Sequence, residues 1–217
     1  IRFQMAMLSA FIVSYLGASI FGILGGVPFS TMAVLWVNFL VQVPIAIALG
    51  FDKPSPGLMD RKPRPLSQPV LSGSQWVRLV FTGLLVALGT LVVEAIHEPI
   101  DAAVAATIGF VSFSFFNIAV GLSARSETET VFTTETVGDR RQLQLYGISL
   151  LMVIIGAEFN IGQRILGTVS LSGQQWLIAL AMAFILLLID EVVKFFMRRA
   201  RNGREKAEVA KPAPQPA

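Results

Sequence analysis

Hydrophobic residues in this chain come in six long runs that are separated by polar segments. At about 17 to 22 residues, each run is long enough to cross the apolar core of a bilayer as a helix. The predicted spans are residues 3–24, 31–50, 76–96, 102–122, 143–159 and 176–196. The pattern predicts an all-α, polytopic membrane bundle of six transmembrane helices over residues 1–201.

The segments between the runs differ in length and composition. The link from the first span to the second is only Gly-Gly-Val-Pro-Phe-Ser, which favours an antiparallel helical hairpin. Residues 52–75 contain five prolines, so they cannot form a continuous helix and should be a surface loop. Residues 123–142 are polar without an apolar period and predict a second loop. The polar, proline-rich tail 202–217 is expected to be disordered.

Lysine and arginine predict the orientation of the bundle. When six spans alternate in direction, all 17 basic residues except Arg164 fall on one side of the membrane. Because basic residues concentrate in cytoplasmic loops, both termini are predicted to be cytoplasmic. The net charge of +3 is then topological, so the expected partner is the lipid bilayer of the cell membrane and not nucleic acid.

Composition narrows the chemistry further. The chain is 54% hydrophobic and 14% charged, and six spans leave too few residues for a catalytic or nucleotide-binding domain of typical size. It has no cysteine and only one histidine, His97, which argues against thiolate and histidine-rich metal sites. No phosphate-binding glycine loop or hydrolytic triad occurs. The sequence therefore predicts no catalytic residue and no cofactor within this chain.

Polar residues inside the spans are the candidates for function, because they are costly at bilayer depth. In the second span, Asn38 and Gln42 lie four residues apart on one helix face, and Pro44 lacks the N–H that would bond to the Leu40 carbonyl. A broken helix with free carbonyls and amides can form an oxygen-lined cation site. Equally, the amides could only bond neighbouring helices, with Pro44 as a packing kink.

The fourth span adds Ser114 and Asn117 to the candidates, although serine in a membrane helix usually serves packing. Carboxylates are missing at midplane depth in the first, second and fourth spans. In the sixth span, Asp190 precedes Lys194 by four residues and predicts a structural ion pair near the cytoplasmic end.

The second span and the loop after it resemble the sixth membrane helix and following loop of the type II P-type cation pumps, the group of the calcium pumps. The matching motifs are Leu-Trp-Val-Asn at 35–38, Ala-Leu-Gly-Phe-Asp-Lys-Pro at 48–54 and Met-Asp-Arg-Lys-Pro-Arg at 59–64. The resemblance extends over nearly the whole chain and implies helices five to ten of such a pump. It implies ATP and Mg²⁺ as requirements of upstream phosphorylation, actuator and nucleotide domains, which these residues do not include.

The resemblance also implies roles for individual residues. Asn38 matches a cation ligand of the family, Gln42 stands where the family has a ligand aspartate, and Asn117 matches a family asparagine. Ser114 replaces an acid, and the ligand positions of the fifth helix fall near Leu8 and Phe11. A site of amides, hydroxyls and carbonyls suits a monovalent ion, a divalent ion held with waters, or a pump that has lost its original ion.

Transport by this module would be driven from outside the chain. By the resemblance, the loop 52–75 contacts the phosphorylation domain, with Asp60 and Arg61 as the coupling residues. Two other readings stay open: a non-catalytic membrane scaffold or partner subunit, and a small passive channel. The chain opens at Ile1 with Arg2 against the first span, which favours a piece of a longer protein over an independent product.

Overall fold

The computed structural model describes residues 1–51, 71–125 and 139–209, and these residues form a bundle of helices. The helices are α1 (Arg2–Phe21), α2 (Thr31–Trp36), α3 (Gln42–Gly50), α4 (Gly73–His97), α5 (Ala102–Ala124), α6 (Arg140–Glu158), α7 (Asn160–Leu166) and α8 (Gly173–Val209). A π-helical segment, Val37–Val41, joins α2 to α3, and together they make one span. The all-α polytopic fold class is confirmed: the described residues contain five spans that are long and apolar enough to cross a membrane, and six if the bent pair of α6 and α7 is one span.

Side chains at the helix starts explain where the spans begin. Ser72 and Gln75 form a reciprocal capping box at the start of α4. Asp101 accepts hydrogen bonds from the Ala103 and Val104 N–H groups and so begins α5, and Asp139 begins α6 in the same way. These caps satisfy N–H groups that have no partner within the helix, which matters most at a membrane boundary.

The contacts between helices establish an alternating topology. The α1 helix runs parallel to α4, because Ala10 lies beside Gly83 near one end of the pair and the Leu24 N–H donates to the Glu98 carboxylate at 2.9 Å at the other. The α5 helix runs antiparallel to α4, and it runs parallel to α8. The first residues of α1 and the polar end of the α8 span therefore lie at the same end of the bundle, where Arg2 and Asp190 line one cavity.

The central helix of the bundle is α5. In its most apolar stretch, 78% of the residues are buried, against 17% in α8, which lies at the edge. Phe110, Phe113 and Phe116 are buried in the core and fill the space between α5 and its neighbours. The outward faces of the other spans carry large exposed hydrophobic side chains, as expected for helices surrounded by lipid.

The span predicted at 143–159 lies on α6, and the chain bends at its end. The α6 and α7 helices meet at an angle of 78° around Phe159, which has an extended backbone. Glu158, the last residue of α6, accepts hydrogen bonds from the Trp176 indole N–H at 2.8 Å and from the Leu171 N–H at 3.1 Å. The bend is thus held by bonds to the start of the last span.

The last helix extends further than the hydrophobic pattern indicates. It continues to Val209, into the segment 202–217 for which the sequence predicts disorder. Its polar continuation contains Arg, Ala, Glu and Lys, all of which favour helix, so the apolar run marks the membrane segment and not the helix end. The loop residues 52–70, most of the second loop (126–138) and the tail residues 210–217 lie outside the described residues.

Replacing Gly83 with alanine should destabilise the bundle. A Cβ there would lie 2.9 Å from both the Ala10 nitrogen and the Ala6 oxygen, so α1 and α4 would have to separate. We expect the free energy of unfolding in detergent to fall by about 1–3 kcal/mol, as in other overpacked cores. The matched control is Gly147→Ala, where the Cβ meets no atom within 4 Å. Equal thermal unfolding midpoints for the two variants would contradict the close approach.

Candidate ion pathway

The second span changes its hydrogen-bond pattern at its centre. The Gln42 N–H donates to the Val37 carbonyl five residues earlier, which is the π-helical pattern. One half-turn later, Pro44 has no N–H, so the Leu40 carbonyl cannot accept its usual i+4 bond. The backbone is therefore irregular in this part of the span, on the segment that carries Asn38. Irregular turns inside membrane helices are frequent at functional sites.

Two side chains hold the irregular segment against its neighbour α6. The Ser149 hydroxyl, which is fully buried, donates to the Val41 carbonyl at 2.8 Å. The Trp36 indole N–H donates to the Met152 carbonyl at 3.0 Å. The sequence does not predict this role of Ser149, because an isolated serine in an apolar run carries no pattern that distinguishes an interhelical bond from ordinary packing.

The two predicted amides of this span have different surroundings. Asn38 is half-buried, and its amide N–H donates to the Val34 carbonyl at 2.9 Å within the same span. Gln42 is only 2% exposed, and its Nε2 has no hydrogen-bond partner among the described residues. A half-rotation of the terminal amide exchanges its nitrogen and oxygen, so this position can present either a donor or an acceptor to a guest. Pro44 is half-buried on the same span.

The opposite wall of the candidate pathway is α5. Ser114 and Asn117 are both fully buried, and they donate to the Phe110 carbonyl at 2.7 Å and the Phe113 carbonyl at 2.8 Å. The Oδ1 atom of Asn117 has no partner among the described residues. Asn117 Oδ1 is therefore a buried acceptor, and the bond from the Asn117 amide nitrogen to the Phe113 carbonyl fixes its position.

The two walls lie in register. Ile45 packs against Gly121, where an added Cβ would contact the isoleucine side chain. Because both helices run antiparallel to α6, they are parallel to each other, and one turn back along each brings Val41 to the level of Asn117. The structure therefore places Gln42 and Asn117 on packed helices near the same depth, together with the irregular carbonyls.

The third side of the candidate pathway is α1, which places aromatic rings there and not side chains that could bind a cation. Leu8 is 51% exposed, and the Phe11 ring lies 4.4 Å from the Phe113 ring and 5.8 Å from the Phe29 ring, centroid to centroid. None of α1, the α2–α3 span or α5 contains Asp or Glu. The candidate pathway is thus lined by neutral groups. The predicted coupling residues Asp60 and Arg61 lie outside the described residues.

Charged groups concentrate at one end of the bundle. Asp190 is 3.0 Å from the Arg78 guanidinium and 3.4 Å from the Lys194 ammonium, and it accepts a bond from the Ser123 hydroxyl. The predicted pair of Asp190 with Lys194 is confirmed. Lys194 is fully buried and donates to the Ser123 carbonyl at 3.0 Å, so this network ties the end of α8 to α4 and α5.

Among the described residues the bundle has five spans, or six if the bent pair α6–α7 is one span, and the second span is irregular in its middle. The family model described as "Cation transporting ATPase, C-terminus" matches residues 26–196, and the chain belongs to this family.

Individual relatives agree with this assignment. The chain is 30% identical over 213 residues to calcium-transporting ATPase 1 of Schizosaccharomyces pombe, covering 95% of this chain and 23% of that protein. It is 24% identical over 183 residues to calcium-transporting ATPase type 2C member 1 of Homo sapiens, covering 83% of this chain and 20% of that protein. For calcium-transporting ATPase 1 of Bacillus cereus the identity is 27% over 187 residues, with 77% and 21% covered. The chain thus spans about a fifth of the length of these relatives.

Replacing Ser149 with alanine should loosen the irregular segment. The variant loses a buried hydrogen bond between spans, and we expect the free energy of unfolding to fall by about 1 kcal/mol. Ser9→Ala is the matched control, because the Ser9 hydroxyl bonds only to the Met5 carbonyl of its own helix. Thermal unfolding in detergent measures the difference. A Ser9 variant that loses as much stability as the Ser149 variant would show that the interhelical bond contributes nothing of its own.

Proposed function

We propose that this chain forms the cation pathway of an ATP-driven pump, with the ion bound between the irregular segment of the second span and α5. Hydrolysis of ATP with Mg²⁺ would take place in phosphorylation, actuator and nucleotide domains of the same pump, outside these 217 residues. The observation that carries the proposal is Asn117 Oδ1, a fully buried oxygen without a partner among the described residues. It lies at the depth where the backbone of the facing span departs from the α-helical pattern.

The chemistry of these walls supports a weakly held cation. Gln42 and Asn117 offer amide oxygens, Ser114 offers a hydroxyl, and the segment around Pro44 offers carbonyls. None of these groups carries a negative charge. Such a set suits a monovalent cation, or a divalent cation that keeps part of its water shell, because a fully dehydrated divalent ion requires carboxylates to offset its charge.

The charge distribution supports one orientation. Arg2, Arg78 and Lys194 lie at one end of the bundle, while Arg164 lies on α7, where the Leu166 carbonyl accepts a bond from Ser30 near the other end. By the positive-inside rule the first end is cytoplasmic, and both termini with it. We assign the pump to the cell membrane, which fractionation of source cells would test.

Leucine at Gln42 or Asn117 should weaken cation binding in the full-length pump. Each change removes one neutral ligand, and we expect the cation concentration for half-maximal ATPase activity to rise about tenfold. Activity would be titrated with Ca²⁺, Mn²⁺, Na⁺ and K⁺ in turn, so that the same experiment identifies the ion. Gln4→Leu, a matched change at an exposed amide, should leave the titration unchanged.

Three outcomes would overturn the proposal. Stimulation by a cation that is unaffected by both buried substitutions would place the ion elsewhere. A native pump whose ATPase responds to none of the four cations would favour the membrane scaffold. Cation flux through liposomes that contain this chain alone, without ATP, would favour the passive channel.

The loop 52–75, which carries the predicted coupling residues, gives a separate prediction. Replacing Asp60 and Arg61 with alanine in the full-length pump should leave ATP hydrolysis largely intact while transported cation per ATP falls severalfold, because the membrane helices would no longer follow the phosphorylation domain. Measuring both rates on the same vesicles checks this. An unchanged ratio of transport to hydrolysis would remove the loop from the coupling path.

A further inference from the structure

The α4 helix buries one carboxylate that the candidate ion pathway does not use. Glu94 is 0% exposed, and neither of its carboxylate oxygens has a hydrogen-bond partner among the described residues. Moving an ionised carboxylate out of water is costly unless a cation or several donors compensate its charge. A buried acid without such partners normally takes up a proton and becomes neutral.

The carboxylate occupies a space that the neighbouring helix leaves open. Glu94 packs on Gly109 of α5, and a Cβ at that glycine would contact Oε1 and lie 2.7 Å from both Cγ and Cδ of the glutamate. Any larger residue at 109 would displace the acid. The glutamate side chain is therefore enclosed between helices and does not extend along the surface of α4 toward water.

Glu98, one turn further along α4, differs from Glu94 in both its exposure and its hydrogen bonding. Glu98 is half-exposed, and its carboxylate accepts the Leu24 N–H at 2.9 Å. Residues four apart on a helix are neighbours on one face, so Glu98 lies between Glu94 and the end of the bundle where α4 meets α5. Glu98 is thus the titratable group that lies between Glu94 and solvent at this end of α4.

The charged and titratable groups of the surrounding elements do not neutralise Glu94. On α1 they are Tyr15, whose hydroxyl donates to the Phe29 carbonyl at 2.8 Å, and Arg2 at the opposite end. The α5 helix has none from Ala102 to Ala124, and Asp101 before it caps that helix. On α4 itself, His97 bonds to the Val93 carbonyl and Arg78 lies with Asp190 at the far end. On α8, Asp190, Glu191 and Lys194 are also at the far end.

From this geometry we infer that Glu94 is a proton-binding site of the bundle, separate from the candidate ion pathway. The carboxylate takes one proton through the end marked by Glu98 and holds it as a neutral carboxylic acid between α4 and Gly109. Release of the proton leaves an unpaired negative charge inside the bundle, so the protonated state of Glu94 is the one compatible with this packing.

Infrared difference spectroscopy of the full chain in lipid bilayers tests the inference without ATP or other domains. At neutral pH, the wild-type protein should show the C=O stretch of a protonated carboxylic acid, which shifts in D₂O. The band should disappear in Glu94→Gln, which keeps the shape of the side chain, and remain in the control Glu98→Gln. Gly109→Ala keeps the glutamate in the sequence but displaces its side chain, so it should shift or abolish the band. Gly147→Ala should leave the band unchanged.

Each other result would overturn the inference. A wild-type spectrum that shows only carboxylate bands at neutral pH would mean that Glu94 is ionised. A protonated band that persists in Glu94→Gln would belong to another acid. A band that appears only after Na⁺, K⁺ and Ca²⁺ have been removed with a chelator and exchange resin would mean that a metal cation, and not a proton, compensates the carboxylate. If Glu94→Gln fails to fold, the wild-type D₂O shift and the Gly109→Ala spectrum still decide the question.

Discussion

The close packing of α5 against the surrounding spans is the constraint on which the rest of the bundle depends. In a bilayer, association between helices gains little from the hydrophobic effect, because lipid chains are as apolar as leucine. Tight contact must supply the stability instead, and α5 provides it with small residues at the points of closest approach. Because Gly109 has no side chain, Glu94 packs against its backbone, and Ile45 packs against Gly121 in the same way. The buried phenylalanines fill the wider gaps. A helix with larger residues at these glycines could not hold five neighbours in the same arrangement.

The irregular span is stable because other helices provide the hydrogen bonds that its own backbone gives up. Inside a bilayer, each unsatisfied backbone group is costly, so a π-helical turn next to a proline persists only where neighbours compensate. Ser149 bonds to the Val41 carbonyl, and Trp36 of the span bonds to the Met152 carbonyl on α6. The same bonds hold the segment that carries Gln42, which lies near the depth of Asn117. Stability of the fold and geometry of the proposed pathway therefore rest on the same contacts.

Whether a buried ionisable group keeps its charge depends on whether groups of opposite charge or hydrogen-bond partners lie close to it. Asp190 and Glu191 offset the charges of Arg78 and Lys194 near one end of the bundle. Even a fully buried ammonium is compatible with the fold there, because it has three oxygen partners. Glu94 has no such partners among the described residues, and protonation is the remaining way to remove its charge. The middle of the candidate pathway is neutral throughout, so a cation bound there would be held by dipoles alone.

The sequence by itself determined the all-α class and the apolar spans. It also predicted the alternation that would collect nearly all basic residues on one side, and an irregularity near Pro44. Hydrophobic length, charge bias and proline are local properties, and they act in the same way whatever the neighbouring helices are. The resemblance in residues 35–64 also pointed to the family that the comparison with known proteins confirms. Only the tertiary structure decided which polar residues lack partners. Serine, asparagine and glutamate on an apolar helix look alike in sequence, whether they bond to another span, to their own helix or to no group among the described residues. Ser149, Asn117 and Glu94 differ because of which helix faces them, and the packing of glycines and large side chains between spans settles that.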